Sequence, residues 1–237
     1  MTFLFQAKDA KVTLVFIPGG GGNFGIQPDW TADNPYFSGT FNRMLRRLTN
    51  PKLTSGRSNV VIFDNPRGMP YHRGWSFQRT GSDHISRIEE VAGFYGEKLG
   101  KPVWLIGHSA GSISITTLYK SLQDRKQEQL VAGLIYSAGV VGTSFDYDST
   151  RLPVLVLHHE NDGCVSTTPS NATHIYTRLR EAGNTDSELV FLKTGKDFGD
   201  PCASGFHMYA GANEEAAQAI DQFIGRHLVP RAETGVR

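Results

Sequence analysis

Short runs of apolar residues recur along the chain, and longer stretches with apolar residues at helical spacing separate them. Several of the short runs, such as VVIF, VWLI and VLVL, contain no polar residue. Unbroken apolar strands are typical of a parallel sheet that is buried on both faces. The predicted strands are Phe3–Gln6, Lys11–Ile17, Asn59–Asp64, Val103–Ile106, Val131–Ser137, Pro153–His158 and Glu188–Lys193.

The intervening stretches predict amphipathic helices. Between residues 83 and 99, for example, Ile85, Ile88 and Val91 repeat at the spacing of one helix face. The predicted helices are Thr40–Leu48, Asp83–Leu99, Ser112–Leu122, Pro169–Ala182 and Asn213–Leu228. Strands that alternate with helices over the whole length predict a three-layer α/β fold, with a mostly parallel sheet and helices on both faces. Ligands of such folds bind at the carboxyl ends of the strands.

Composition adds little to this picture but excludes several classes of partner. The chain has 237 residues, of which 39% are hydrophobic and 20% are charged, and its formal net charge is +1. This balance favours an ordinary globular protein without a nucleic-acid-binding or membrane-binding surface. The first residues lack a basic segment followed by a cleavage site, which favours a cytoplasmic location unless a leader has been removed.

A candidate nucleophile lies between a predicted strand and a predicted helix. Residues 107–111 read GHSAG, which is the G-x-S-x-G pattern. A serine that must stand exposed at the end of a sheet needs a sharp strand-to-helix turn, and the flanking glycines let neighbouring backbone pass without a clash. The start of the helix adds a positive dipole beside a developing oxyanion. Ser109 is therefore the predicted nucleophile.

A serine nucleophile needs a base, and the base needs an acid that orients it. Asp162 follows the predicted strand that ends at His158, and His207 lies in the glycine-rich loop before the last helix. Both positions follow strand ends, so we expect the two side chains to meet near Ser109. The alternatives for the acid are Glu160, which we interpret as part of the strand edge, and Asp197 and Asp200, which we interpret as surface residues.

A glycine-rich loop follows the second predicted strand. Residues 18–25 read PGGGGNFG, which also satisfies the G-x-G-x-x-G pattern of dinucleotide-binding turns. A dinucleotide turn opens a helix directly, with an acidic residue about 20 positions later. Here prolines follow instead, and the next strand ends at Asp64, about twice as far along. Backbone N–H groups that face an oxyanion are the preferred interpretation.

Together, the GHSAG segment, the PGGGG loop, Asp162 and His207 resemble the alpha/beta-hydrolase superfamily across roughly residues 3–228. The resemblance implies a single alpha/beta-hydrolase domain over residues 1–237. It also implies an oxyanion hole in which the N–H of Ala110 and the N–H of Gly20 or Gly21 are the donors. Only about 15 residues separate Ser137 from Pro153, where many relatives insert a lid, so we expect little or no cap.

If the acid and base loops are neighbours, the chain's two cysteines come close together as well. Cys164 lies two residues after Asp162, and Cys202 lies five residues before His207. A disulfide between them is slightly favoured over two buried thiols. We expect no metal site, because two cysteines are too few for one.

Two long segments follow strand ends and are expected to rim the active site. Residues 23–39 and 64–82 are rich in aromatic and basic side chains. Their candidate substrate-binding residues are Phe24, Arg67, His72 and Trp75. The alternative is that these side chains brace the loops and shield the core.

The sequence therefore predicts an esterase-like serine hydrolase that acts on a carboxylic ester, thioester or amide of a small molecule, without a cofactor. Three alternatives stay open at this point. An acyltransferase or a carbon–carbon bond hydrolase would use the same three residues, and a hydrolase-like binding protein would turn over little. The substrate and the oligomeric state do not follow from the sequence.

Overall fold

The computed structural model describes residues 1–22, 24–31, 40–65, 79–141 and 147–228. Within them, seven strands form one sheet in the order β1-β3-β2-β4-β5-β6-β7. The strand β1 pairs antiparallel with β3, and the other pairs are parallel. The strands are β1 (Thr2–Phe5), β2 (Val12–Ile17), β3 (Ser58–Phe63), β4 (Val103–His108), β5 (Gly133–Ser137), β6 (Val154–His159) and β7 (Ser187–Leu192).

Helices cover both faces of this sheet. They are α1 (Thr40–Leu48), α2 (Ser82–Leu99), α3 (Gly111–Asp124), α4 (Pro169–Glu181) and α5 (Asn213–His227). Alternate residues of β2 point to opposite faces: Leu14 and Phe16 join a core with α1 and α5, whereas Val15 and Ile17 join a core with α2, α3 and α4. The predicted three-layer arrangement is confirmed.

The predicted elements all form, with ends that differ by two residues or fewer. The largest differences are at β4, which continues to His108, at β5, which begins at Gly133, and at α3, which continues to Asp124. Residues that were predicted as the start of β5 follow a short 3₁₀ helix, Glu128–Leu130. The extension of β4 matters for function, because it carries the strand directly into the GHSAG turn.

The order of the strands brings the candidate residues to one edge of the sheet. The strands β2 and β4 are neighbours, and Ile17 pairs with Gly107 at their carboxyl ends. The glycine loop therefore begins beside the GHSAG turn. The strands β6 and β7 are also neighbours, so the segments that follow them, which carry Asp162 and His207, start side by side.

The link from Ser137 at the end of β5 to Val154 at the start of β6 is too short to hold a helical lid domain, as predicted. Across the residues that the structure describes, no helix is both long and apolar enough to span a membrane.

Candidate active site

The GHSAG turn has the geometry of a nucleophile elbow. Ser109 lies between the end of β4 and the start of α3 with a φ of +51°, a left-handed conformation that residues other than glycine rarely adopt. A Cβ atom on Gly107 would lie 2.5 Å from the Gly111 carbonyl oxygen, and one on Gly111 would lie 2.2 Å from the Ile17 carbonyl oxygen. Glycine is therefore required at both positions, because the strand, the turn and the glycine loop meet there without space for a side chain.

Asp162 and His207 form a buried acid–base pair. The Nδ1 atom of His207 lies 2.9 Å from Oδ2 of Asp162. The hydroxyl of Thr167 lies 3.1 Å from each of these two atoms and donates to the carboxylate. The backbone N–H of Cys164 donates to the other carboxylate oxygen over 2.9 Å. These contacts fix the carboxylate and orient the imidazole, so that its Nε2 atom is the one left for proton transfer.

A second imidazole stands beside the same carboxylate. The Nε2 atom of His158, a fully buried residue, lies 3.2 Å from Oδ2 of Asp162 without a hydrogen bond to a described residue. Burial by itself would raise the pKa of Asp162. The adjacent His158 and His207 rings and the Cys164 N–H outweigh this effect and hold that pKa below its ordinary range. Asp162 is therefore ionised at neutral pH.

His207 packs against the elbow through His108. The two rings are 5.0 Å apart, centre to centre. The Nδ1 atom of His108 lies 3.0 Å from Oγ of Ser137, which in turn bonds to the Tyr209 hydroxyl over 2.8 Å. Burial, together with the proximity of His207, lowers the pKa of His108 well below its ordinary value, so this ring is neutral. His108 thus packs against the His207 ring and adds no charge beside it.

Among the described residues, no hydrogen bond joins the Ser109 hydroxyl to His207. Hydrogen bonds between nucleophile and base are often long before substrate binds and tighten in the reacting complex. The elbow and the Asp162–His207 pair are therefore both formed, without a hydrogen bond between Ser109 and His207 among the described residues.

The glycine loop packs directly on the elbow. A Cβ atom on Gly19 would lie 2.9 Å from Cβ and 3.4 Å from Oγ of Ser109. Gly20 adopts a φ of +53°, and Gly22 N–H bonds to the Gly19 carbonyl to close a turn. Within the described part of the chain, the backbone N–H groups of Gly20, Gly21 and Ala110 have no acceptor. These are the three predicted oxyanion donors, and unpaired N–H groups on both sides of Ser109 suit that role.

Asp64 holds the segment that follows the glycine loop. Its carboxylate accepts hydrogen bonds from the backbone N–H groups of Phe24, Gly25 and Ile26, at 2.6, 3.1 and 2.6 Å. Phe24, a predicted substrate-binding residue, is only 8% exposed, and its ring packs 5.8 Å from that of Phe16 in the core. For Phe24 the geometry favours the alternative of a core-shielding aromatic.

The other three candidate substrate-binding residues, Arg67, His72 and Trp75, lie outside the described residues. The rival acids are exposed: Glu160 follows β6 directly, and Asp197 and Asp200 lie in the loop after β7. Asp200 accepts a hydrogen bond from the Cys202 N–H, and none of the three bonds to His207.

A family model of alpha/beta hydrolases matches residues 14–230, which is most of the chain. The chain belongs to the alpha/beta hydrolase family. It is thus a hydrolase enzyme, as the sequence predicts.

Solved structures with the same fold come from several bacteria. A lid-less alpha/beta serine hydrolase of Xanthomonas campestris, XC6422, is 16% identical with a TM-score of 0.59, over 95% of this chain and 87% of its own. Est1E of Butyrivibrio proteoclasticus, solved with ferulic acid bound, is 14% identical with a TM-score of 0.60, over 96% and 95% of the two chains. Similarity at this level concerns the fold. No match was found among curated protein sequences.

In this alpha/beta hydrolase a disulfide joins the acid loop to the base loop. Cys164 and Cys202 are bonded with an S–S distance of 2.06 Å, which confirms the predicted pairing. Cys164 is buried, whereas Cys202 is exposed. Disulfides persist mainly in oxidising compartments, so the bond does not favour the cytoplasmic location, which stays a prediction.

Several described residues near the site were not predicted from the sequence of this hydrolase, among them Thr167, Arg79 and His84. Thr167 bonds to both members of the acid–base pair, and the buried residues Arg79 and His84 lie under the glycine loop. Thr167 carries no recognisable motif. His84 stands on the apolar face of α2, where its burial could have been expected from helical spacing.

Proposed function

We propose that this protein is a serine hydrolase that cleaves a carboxylic ester, thioester or amide of a small molecule through an acyl-enzyme. The observation that carries the proposal is the left-handed Ser109 at the strand-to-helix turn, with unpaired backbone N–H groups on both sides and a buried Asp162–His207 pair next to the same turn. That combination supports a nucleophile, a base and an electrostatic site for a developing oxyanion.

In the proposed mechanism, His207 removes the hydroxyl proton of Ser109 through its Nε2 atom. The serine oxygen attacks the substrate carbonyl, and the resulting oxyanion accepts hydrogen bonds from Ala110 N–H and from Gly20 or Gly21 N–H. Protonated His207 then gives the proton to the leaving group. Water, activated by the same imidazole, releases the acid and restores Ser109.

Asp162 stabilises the charged imidazole that forms in each half of this reaction. Since its pKa is held below the ordinary range, it stays ionised while His207 gains and loses a proton. The three hydrogen bonds that it receives from Thr167, Cys164 and His207 keep the carboxylate facing Nδ1. This arrangement selects the tautomer in which Nε2 is free to accept the serine proton.

The choice of the first substrates to test draws on two proteins with the same fold. The lid-less structure of XC6422 belongs to a serine hydrolase, and Est1E was solved with an aromatic acid bound. By analogy with these proteins, we favour acyl groups that reach an open active site, and aryl esters of short aromatic acids are the first substrates to try.

Labelling with a fluorophosphonate, followed by peptide mapping, tests the nucleophile directly. We expect an adduct on Ser109 in the wild type and no adduct in Ser109→Ala. His207→Ala should slow labelling by at least about 10³-fold, because the hydroxyl then lacks its base. Ser86→Ala, at an exposed position of α2, is the matched control and should label like the wild type.

A folded wild type that takes up no adduct on Ser109 would refute the proposed mechanism.

A second experiment, product analysis with an acyl ester in the presence of alcohols, separates hydrolysis from acyl transfer. The two reactions share the acyl-enzyme and differ only in the acceptor.

A further inference from the structure

A buried arginine lies beneath the glycine loop. Arg79 is 3% exposed, and its guanidinium donates hydrogen bonds to the Gly20 carbonyl over 2.7 Å and to Oγ of Ser114 over 3.4 Å. No Asp or Glu pairs with it in the described part of the chain. Burial lowers the pKa of Arg79 to about 10, so the group is still charged at neutral pH. A buried charge without a counter-ion weakens the fold, and folding alone does not explain its presence.

The same arginine belongs to a buried polar chain that reaches the glycine loop a second time. The ring of His84 lies 2.8 Å from Oγ of Ser114 and 2.6 Å from Oδ1 of Asn65, and Nδ2 of Asn65 donates to the Gly22 carbonyl over 3.4 Å. Burial and the charge of Arg79 lower the pKa of His84 to about 4. The neutral ring therefore donates from Nδ1 to Asn65 and accepts the Ser114 hydroxyl proton at Nε2.

The two ends of this buried polar network, Arg79 and Asn65, donate hydrogen bonds to carbonyl oxygens of one tight turn. The turn is closed by the bond from Gly22 N–H to the Gly19 carbonyl, at 3.1 Å, and the peptide between Gly20 and Gly21 is its central unit. Glycine at both central positions allows this peptide to adopt more than one turn type, and these differ in the direction of its C=O and N–H groups. The glycines by themselves do not select one direction.

The hydrogen bond from Arg79 to the Gly20 carbonyl selects one direction of the Gly20–Gly21 peptide. In a trans peptide the C=O and N–H groups point in opposite directions, so a Gly20 carbonyl that faces Arg79 turns the Gly21 N–H away from the buried chain. That N–H has no acceptor in the described residues, and the turn packs on Ser109 through Gly19. The carbonyl is thus bound on the buried side while the N–H stays available on the other.

We propose that Arg79 is a positioning residue that fixes the Gly20–Gly21 peptide, so that the Gly21 N–H is held ready for the oxyanion. This inference rests on the proposed function, since it assigns a reaction step to the same turn. Donors that are oriented before the reaction need no reorganisation when charge develops, which is the main source of oxyanion stabilisation. Arg79 does not touch the substrate in this account and acts only through the peptide.

The test compares Arg79→Met with the wild type by the kinetics of fluorophosphonate labelling. The reagent places its phosphoryl oxygen where the oxyanion forms, and the concentration dependence separates its binding from its reaction with Ser109. We expect the maximal labelling rate of Arg79→Met to fall about 10- to 100-fold, the order expected for one misdirected donor. The half-saturating concentration should change by less than about 3-fold, because no binding contact is removed.

The matched control is Arg57→Met, which removes another partly buried arginine. Arg57 pairs with Asp221 over 3.1 Å, so its loss should lower the melting temperature and leave the labelling rate unchanged. Arg79→Met should show the reverse, with a reduced rate and a melting temperature equal to or above that of the wild type. Should Arg79→Met fail to fold, Arg79→Gln, which keeps a polar group beside Ser114 but removes the charge and the long fork, is expected to show the same loss of rate.

Wild-type labelling kinetics in a folded Arg79→Met or Arg79→Gln variant would overturn this inference while leaving Ser109 as the nucleophile. A raised half-saturating concentration with an unchanged maximal rate would also overturn it, because Arg79 would then bind the reagent. Absence of any adduct on wild-type Ser109 would instead refute the proposed function.

Discussion

Removal of the Cys164–Cys202 disulfide is predicted to destabilise the protein far more than it slows catalysis. The bond joins positions 38 residues apart, and in the chain-entropy model a loop of that length reduces the entropy of the unfolded chain enough to stabilise the fold by about 4 kcal/mol at 25 °C. Unfolding a chain of 237 residues releases about 0.5 kcal/mol per kelvin of entropy, so the melting temperature should fall by about 8 °C.

The assay uses the double variant Cys164→Ala/Cys202→Ser, since the first position is buried and the second exposed. Urea unfolding at 25 °C gives the loss of free energy, and a thermal scan gives the shift in melting temperature. Turnover of an aryl ester at 25 °C should fall by less than about 3-fold, because hydrogen bonds from Thr167 and Cys164 N–H still hold the Asp162–His207 pair.

Two controls separate the bond from the substitutions. A reductant added to the wild type should reproduce the shift in melting temperature, and the same reductant should leave the double variant unchanged. An unchanged melting temperature in the double variant would refute the entropic reasoning. A loss of turnover larger than about 100-fold at 25 °C, with the fold intact, would show that the bond positions the acid and the base in the native state.

Two further predictions concern the glycine loop and the buried histidine beneath it. Gly19→Ala should lower kcat about 10²-fold, because the new Cβ would lie 2.9 Å from Cβ of Ser109 and must displace that serine. Gly93→Ala, in open space on α2, is the control. Equal activity of the two variants would contradict the predicted clash. The pKa of His84 falls from 6.5 to about 4 on folding. Between these two pH values the unfolded chain binds a proton at His84 and the folded chain does not. The free energy of unfolding should therefore drop by up to about 3 kcal/mol as the pH falls from 6.5 to 4. The midpoint of urea unfolding should fall less steeply with decreasing pH for His84→Gln than for the wild type. Parallel plots of midpoint against pH would show that His84 is not the group responsible.

The elbow could be predicted from the sequence because its requirements are local. Gly107 and Gly111 lie within two residues of Ser109, and the strand and the helix on either side have distinct periodicities. The acid and the base were predicted by a weaker argument, their place after successive strands. The fold brings both to the same edge because β6 and β7 are neighbours, and no pattern within either loop contains that information.

For Phe24 the local argument left two interpretations open, a substrate-pocket residue and a core-shielding aromatic. An aromatic residue in a loop after a strand suits a substrate pocket, but the Asp64 carboxylate draws three successive N–H groups of this loop toward the end of β3. The ring consequently packs on Phe16. The bond between Asp64 and this loop crosses about 40 residues of sequence, and it is this distant contact that decides which way the side chain faces.

Arg79 was beyond sequence reasoning for a further reason. A lone arginine three residues before a helix is usually a solvated residue, and its proposed role here depends on the direction of one peptide in a loop 59 residues earlier. The glycines that make this loop recognisable also leave its central peptide free to turn. We proposed that the buried Arg79 guanidinium fixes this peptide, so that the Gly21 N–H is held in one direction. The buried charge lowers the stability of the fold. On this proposal, the stability and the reactivity of the site oppose each other at Arg79, whereas at the disulfide they are largely separate.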